Sequence, residues 1–161
     1  MTDASRIAHD ALLTEPLTDP TTLAGLAADA EADGRRMVGR LIAEWRDGRN
    51  RFDRPGERAY VAKLNGRVCG VCGLNRDPFA GDASVGRVRR LYVAVADRRR
   101  GVGSALLAHL LADARGAFAA LHLRTHDPQA AAFYEALGFA RVEGNPECTH
   151  RMAVDTPPLS A

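Results

Sequence analysis

Residues 89–107 read RRLYVAVADRRRGVGSALL. The apolar run LYVAV has the make-up of a strand. It passes through three arginines and the turn Gly101-Val102-Gly103 into a helix that opens at SALL. A strand feeding a helix through a short glycine turn belongs to an α/β layer structure. The turn also narrows the chemistry. The first N–H groups of a helix have no partner within the helix, and the helix dipole makes that end partly positive. Anions bind there where the backbone can be approached closely. Gly101 and Gly103 remove the side chains that would block such an approach. Two common phosphate motifs are absent: GxGxxG would need a small residue where Leu106 stands, and GxxxxGK[ST] does not occur. What remains is Arg98-x-x-Gly101-x-Gly103 behind a strand.

The rest of the chain supplies the other layers. A short strand is expected near Ala11-Leu12-Leu13, ended by Pro16, Asp19 and Pro20. An alanine-rich helix over 21–33 should stop at Gly34. Met37, Val38, Leu41, Ile42 and Trp45 then form one apolar stripe on a helix over about 35–47, closed by Gly48 and Asn50. Asn65-Gly66 marks a tight hairpin between a strand at Ala59–Ala62 and one at Val68–Leu74, because both turn residues tolerate positive φ. A longer strand is expected over about 86–95 and a helix over about 102–115 with Leu106, Leu107, Leu110 and Leu111 on its apolar face. His109 falls off that face. AALHLRTH, residues 119–126, reads as an alternating strand that puts His122 and His126 on one face. Asp127-Pro128 reads as an N-cap followed by a proline in the first helical position. The next helix should end at Gly138, with two further strands near Ala140–Val142 and Thr149–Val154. The order β-α-α-β-β-β-α-β-α-β-β contains no linker or repeat, so residues 1–161 form one α/β domain with a mixed sheet and a frayed tail from about 155.

Composition excludes several classes. A hydrophobic fraction of 46% supports a packed core, and no apolar run is long enough to span a bilayer. MTDASRIAHD lacks a basic flank and an apolar stretch, so a soluble, cytoplasmic protein is expected. The net charge of +2 is too weak to indicate nucleic acid unless it is focused. Lys63 is the only lysine, so arginine supplies nearly all the positive charge. Cys69, Cys72 and Cys148 do not make a disulfide framework. Cys69 and Cys72 lie three apart on a strand, which should direct them to opposite faces and away from a shared metal. No metal site is expected.

Arg98-x-x-Gly101-x-Gly103 after LYV, a helix, a strand, and then AAFYEALGF resembles the ordered signature of the GNAT superfamily of N-acetyltransferases, most closely over Val88 to Arg141. The resemblance implies a mixed, mostly antiparallel sheet with two splayed central parallel strands, flanked by helices. It also implies acetyl-CoA as co-substrate. The backbone of Leu91, Tyr92 and Val93 would then meet the pantetheine arm. The amides of Arg98, Arg99, Arg100, Gly101, Val102, Gly103 and Ser104 would hold the pyrophosphate, and the three arginines would add charge near the phosphates, Arg98 and Arg99 foremost. A backbone N–H near Val93 would stabilise the oxyanion. Tyr134 would protonate or hydrogen-bond the leaving thiolate.

Two positions depart from that pattern. Arg87 stands where many members carry a glutamate base, which leaves Glu44, Glu57, His122, His126 or a water chain as candidates. Asp127 stands where an asparagine often contacts the pantetheine arm; it can still cap a helix. Arg87 and Arg89 flank Val88 on one strand face, so an amine acceptor with an anionic group is expected if that face lines its site. A homodimer is an expectation of the resemblance only. Two other readings use the same letters. One is a non-catalytic acyl-CoA-binding module, against which Tyr134 argues. The other is an arginine-rich nucleic-acid-binding domain, which lacks interleaved aromatics.

Overall fold

The computed structural model describes residues 11–154. The expected frayed tail from about 155 lies outside them. Among the described residues the chain forms β1 (Leu12–Pro16), a 3₁₀ turn (Pro20–Leu23), α1 (Ala24–Ala32), α2 (Met37–Asp47), β2 (Arg58–Leu64), β3 (Arg67–Arg76), β4 (Val85–Val93), a second 3₁₀ turn (Val95–Asp97), α3 (Val102–Ala114), β5 (Ala120–Leu123), α4 (Pro128–Ala136), β6 (Ala140–Arg141) and β7 (His150–Ala153). The element order is the one the sequence implies.

Local signals set most boundaries. Asp19 accepts a hydrogen bond from the Thr21 N–H at the first 3₁₀ turn, with Pro20 behind it. Gly48 ends α2 in the left-handed conformation. Asp127 caps α4 through the Gln129 N–H, and Pro128 occupies its first turn. Asn65 and Gly66, at φ 52° and 82°, close the β2–β3 hairpin.

Seven strands form one sheet in the order β1-β2-β3-β4-β5-β7-β6. Among the described residues only β4 and β5 run parallel; every other pair is antiparallel. Each face carries its own core. Leu106, Leu107 and Leu110 of α3 and Tyr134 of α4 pack with Leu74, Val88 and Leu121 on one face. Leu26 and Ala30 of α1 and Val38 and Leu41 of α2 pack with Val61, Val71 and Tyr92 on the other. Trp45 belongs to this second core, tilted against Phe52 with ring centroids 6.3 Å apart.

Two sequence expectations need correction. Cys69 and Cys72 do not face opposite ways: both lie in the α3-side core. Ala62 pairs with Gly70, but Lys63 pairs with Val68, so Cys69 is an extra residue on β3. A bulge of this kind shifts the side-chain alternation by one place. All three cysteines are free and buried. Burial pushes the Cys72 thiol up to about 12 and raises Cys69 and Cys148 as well. The second correction concerns β5, which stops at Leu123, where its pairing with β7 ends at His150. His126 therefore lies beyond the strand and shares no strand face with His122.

Candidate active site

β4 and β5 pair only from Val85–Arg87 to Ala120–His122. Beyond that point the two strands part, and β4 continues without a neighbour on its β5 side. A cleft of about 740 Å³ occupies this gap. It is lined by Leu91, Tyr92 and Val93 of β4, by Leu123 at the end of β5, by the start of α3, and by Phe133 and Tyr134 of α4.

The gap presents open backbone. On its other side β4 pairs with β3, Tyr92 opposite Val71, and the Ala94 N–H donates to the Cys69 carbonyl at 2.8 Å. Successive peptide groups of a strand point to opposite sides. The Val93 N–H and C=O therefore point into the gap. The carbonyl accepts from Arg98 Nε at 3.1 Å, whereas no donor–acceptor partner meets the N–H among the described residues. Upstream, β4 bulges. Gly73 pairs with Arg89 and Val71 with Tyr92, so Arg90 and Leu91 together face Cys72. Arg90 takes a left-handed φ of 61°, a strained conformation for a residue with a side chain.

The turn between β4 and α3 forms one end of the cleft. Asp97 is buried and forks onto Arg67, with oxygens 2.8 and 2.9 Å from the two guanidinium nitrogens. Hydrogen bonding to Arg67 holds the Asp97 carboxyl below the ordinary carboxylate range. Arg98 reaches back to Asp33 at 2.7 Å and lies over the Tyr92 ring. The Tyr92 phenol points away from the cleft and donates to Asp29 at 2.7 Å; burial pushes its ionisation up. Gly101 opens α3 at φ 80° without a side-chain cap, which leaves the first-turn amides of Val102, Gly103 and Ser104 unpartnered among the described residues. A Cβ on Gly103 would stand 3.2 Å from the Phe133 ring. That glycine thus lets α3 approach α4 as well as any ligand.

All the residues of the expected coenzyme set line the cleft except Arg100. Arg98 contributes through what it braces, since its guanidinium is shared between Asp33 and Val93. Arg35, two residues after Asp33 in the α1–α2 connection, pairs with Asp127 at 2.9 Å. That connection is therefore tied to both banks of the cleft. Asp127 carries two loads, the α4 cap and this ion pair.

Tyr134 is 7% exposed, and its ring makes edge contacts with Phe133 and Phe139 at centroid distances of 5.3 and 5.5 Å. Burial, with a smaller contribution from nearby Cys72, pushes its phenol well above the ordinary value of 10.0. The phenol is therefore protonated at any ordinary pH. No hydrogen bond to the hydroxyl is formed among the described residues, and the residue lines the cleft.

Arginines dominate the far end. Arg87 is buried, donates to the Glu147 carbonyl at 2.8 Å, lies 3.6 Å from Asp77 and stacks over Phe79. Asp77 also meets His122 Nδ1 at 3.1 Å. Arg90 pairs with Glu44 of α2 at 3.0 Å. Several candidate bases are thus engaged. Glu44 serves Arg90, and Glu57 accepts from the Arg54 and Arg76 amides in a distant turn. His126 takes a hydrogen bond from Arg124 at 3.3 Å. Sequence reasoning missed Glu147, which lines the cleft beside Arg87, and it missed Asp97 and Asp33, which brace the turn. Nothing in the linear pattern marks these three, because each acts on a residue tens of positions away.

Comparison with known proteins agrees with this geometry. The model of the acetyltransferase (GNAT) family matches residues 22–139. A protein assigned as an acetyltransferase, from Exiguobacterium sp. 255-15, superposes with a TM-score of 0.78 at 28% identity, covering 88% of this chain and 93% of that one. A protein assigned to the GNAT family, from Desulfovibrio desulfuricans, gives 0.72 at 18% identity, covering 90% and 100%. The yncA protein of Salmonella typhimurium, solved with its cofactor acetyl-CoA, gives 0.65 at 17% identity, covering 91% and 95%. No curated protein matches the chain.

Proposed function

The chain belongs to the GNAT family of acetyltransferases, and from that premise we propose that it moves an acetyl group from acetyl-CoA to the primary amine of a small molecule or peptide, by direct attack in a ternary complex. The observation that carries this reading is the open β4 edge at Val93 in one cleft with the buried, protonated Tyr134.

The residues present fit the coenzyme. The unpartnered amides at the start of α3 and the glycine turn suit a pyrophosphate. The unpaired edge of Leu91 to Val93 suits a pantetheine arm with its own amide groups. Bound there, acetyl-CoA supplies a thioester whose carbonyl is open to an amine nucleophile.

The chain's own groups then divide the work. The Val93 N–H, aimed into the gap, donates to the developing oxyanion. Preorganised donors matter most where charge appears only in the transition state. Tyr134 donates its proton, or a hydrogen bond, to the departing thiolate. Its raised ionisation keeps the O–H in place as a hydrogen-bond donor to the thiolate. Asp97, Asp33 and Arg67 hold the turn so that the α3 amides keep their direction. The acceptor amine arrives from the Arg87 end, where Glu147 lines the cleft and can accept a proton.

The test is release of free CoA from acetyl-CoA against a panel of amino acids, peptides, polyamines and aminoglycosides. Transfer to at least one primary amine, with product mass raised by one acetyl group, is expected. CoA binding with no transfer to any amine would instead make the chain a binding module.

A further inference from the structure

The arginines at the acceptor end are not explained by the coenzyme. The α3 amides lie beyond the C-terminal end of β4, whereas Arg87, Arg89 and Arg90 precede Val93 on the same strand. An unbulged strand would put Arg90 on the face opposite Arg87 and Arg89. The bulge, with its left-handed Arg90, turns that side chain to the α2 side, where it meets Glu44. Three guanidiniums thus share one face against their mutual repulsion, at the cost of a strained backbone. Such strain persists where the surroundings require it and gathers at functional sites.

Two carboxylates answer these three cations. Asp77 serves Arg87, and Glu44 serves Arg90 through one terminal nitrogen. Arg89 has no carboxylate or carbonyl partner among the described residues, although it is half-buried and lines the cleft. Burial and the two neighbouring arginines weaken its hold on its proton. The Arg90 Nε–H is fully buried and unpaired. Glu44 and Asp77 act on Arg89 only at longer range; a desolvated cation with no carboxylate in contact is costly, as is a buried donor without an acceptor. One oxyanion would relieve both, and a guanidinium fork matches the geometry of a carboxylate or phosphonate.

We propose that the acceptor is a primary amine that also carries an oxyanion, seated on Arg89 with help from the Arg90 Nε–H. This rests on the transferase reading, so its test has two arms. In the first, CoA release is measured for β-alanine, 4-aminobutyrate, 6-aminohexanoate and phenylalanine, each against its carboxamide. In the second, calorimetry measures binding of the same pairs to the CoA-saturated protein.

The expected result is a preference of at least about tenfold for acid over amide in one spacing of the series. Arg89→Gln should bring the ratio close to one while leaving the KM for acetyl-CoA unchanged, and Arg89→Lys should restore part of it. A preference in calorimetry without turnover would keep the subsite and overturn the transferase reading. Equal use of acid and amide, no acid preference in either arm, or a preference that survives Arg89→Gln would overturn the subsite. An equal rise in the acetyl-CoA KM would assign Arg89 to the coenzyme and overturn it too.

Discussion

The two ends of the cleft are built from different materials. At the α3 end the cleft-facing groups are backbone: the Val93 N–H, the amides of Val102, Gly103 and Ser104, and the space left by two glycines. At the far end they are side chains: Arg87, Arg89 and Arg90, set against the carboxylates of Asp77 and Glu44 and the backbone carbonyl of Glu147. A backbone site recognises features shared by every coenzyme molecule and depends on turn geometry. A side-chain site can change its target by single substitutions, without touching the fold. The difference suits a protein with one fixed donor and an acceptor particular to it.

The largest effect is expected where the two ends meet. Tyr134→Phe should lower kcat about 100-fold with the Kd for CoA within about twofold, read by steady-state kinetics and calorimetry. Unchanged turnover would remove Tyr134 from the chemistry and leave the cleft with two binding ends and no acid between them. Next comes the backbone end. Gly103→Val adds bulk where even a Cβ would stand 3.2 Å from Phe133. CoA affinity should drop by about tenfold or more, because the first turn of α3 must move and its amides with it. Thermal denaturation of the same variant separates this from global unfolding.

A smaller loss is expected from Arg98→Ala, Arg99→Ala and Arg100→Ala combined. Arg98 is a brace to Asp33 and Val93, and Arg100 does not line the cleft. CoA affinity should fall a few-fold, more at low salt than at high. A loss greater than that of Gly103→Val would break the comparison, since charge rather than backbone would then dominate the coenzyme end. The smallest effect concerns the brace beneath the turn. Asp97 is held below its ordinary carboxylate value by Arg67, so its contribution is present above the unfolded-state pKa, near 3.8, and is lost as pH falls through the folded value. Asp97→Asn should remove about 1 kcal/mol or less at neutral pH and flatten the loss of stability as pH falls below the unfolded-state value near 3.8. Urea denaturation at several pH values reads both.

The turn and helices at the α3 end of the cleft are largely legible in the sequence. Gly101 and Gly103 announce a close approach, Asp127-Pro128 and Gly138 bracket α4, and these are local rules between residues a few places apart. The misreadings share one cause. Cys69 was placed by strict alternation, which one bulge undid. His126 was placed on a strand that ends when its β7 partner runs out at His150. Both outcomes depend on what the neighbouring strand does. Glu147, Asp97 and Asp33 were invisible for the same reason: each meets its arginine across 30 or more positions of chain.

The sequence alone determined the elements, their order, the glycine turn and the tyrosine on the helix that follows, because capping, turn chemistry and hydrophobic period act within a few residues. It also determined that an arginine stands at position 87. Only the tertiary structure decided that β4 and β5 part after Arg87, that Val93 turns its N–H into the gap, and that, among the described residues, Arg87 and Arg90 meet carboxylates while Arg89 touches none. Strand pairing and counter-charge are relations between distant segments. Their free energies appear only when the sheet brings those segments together.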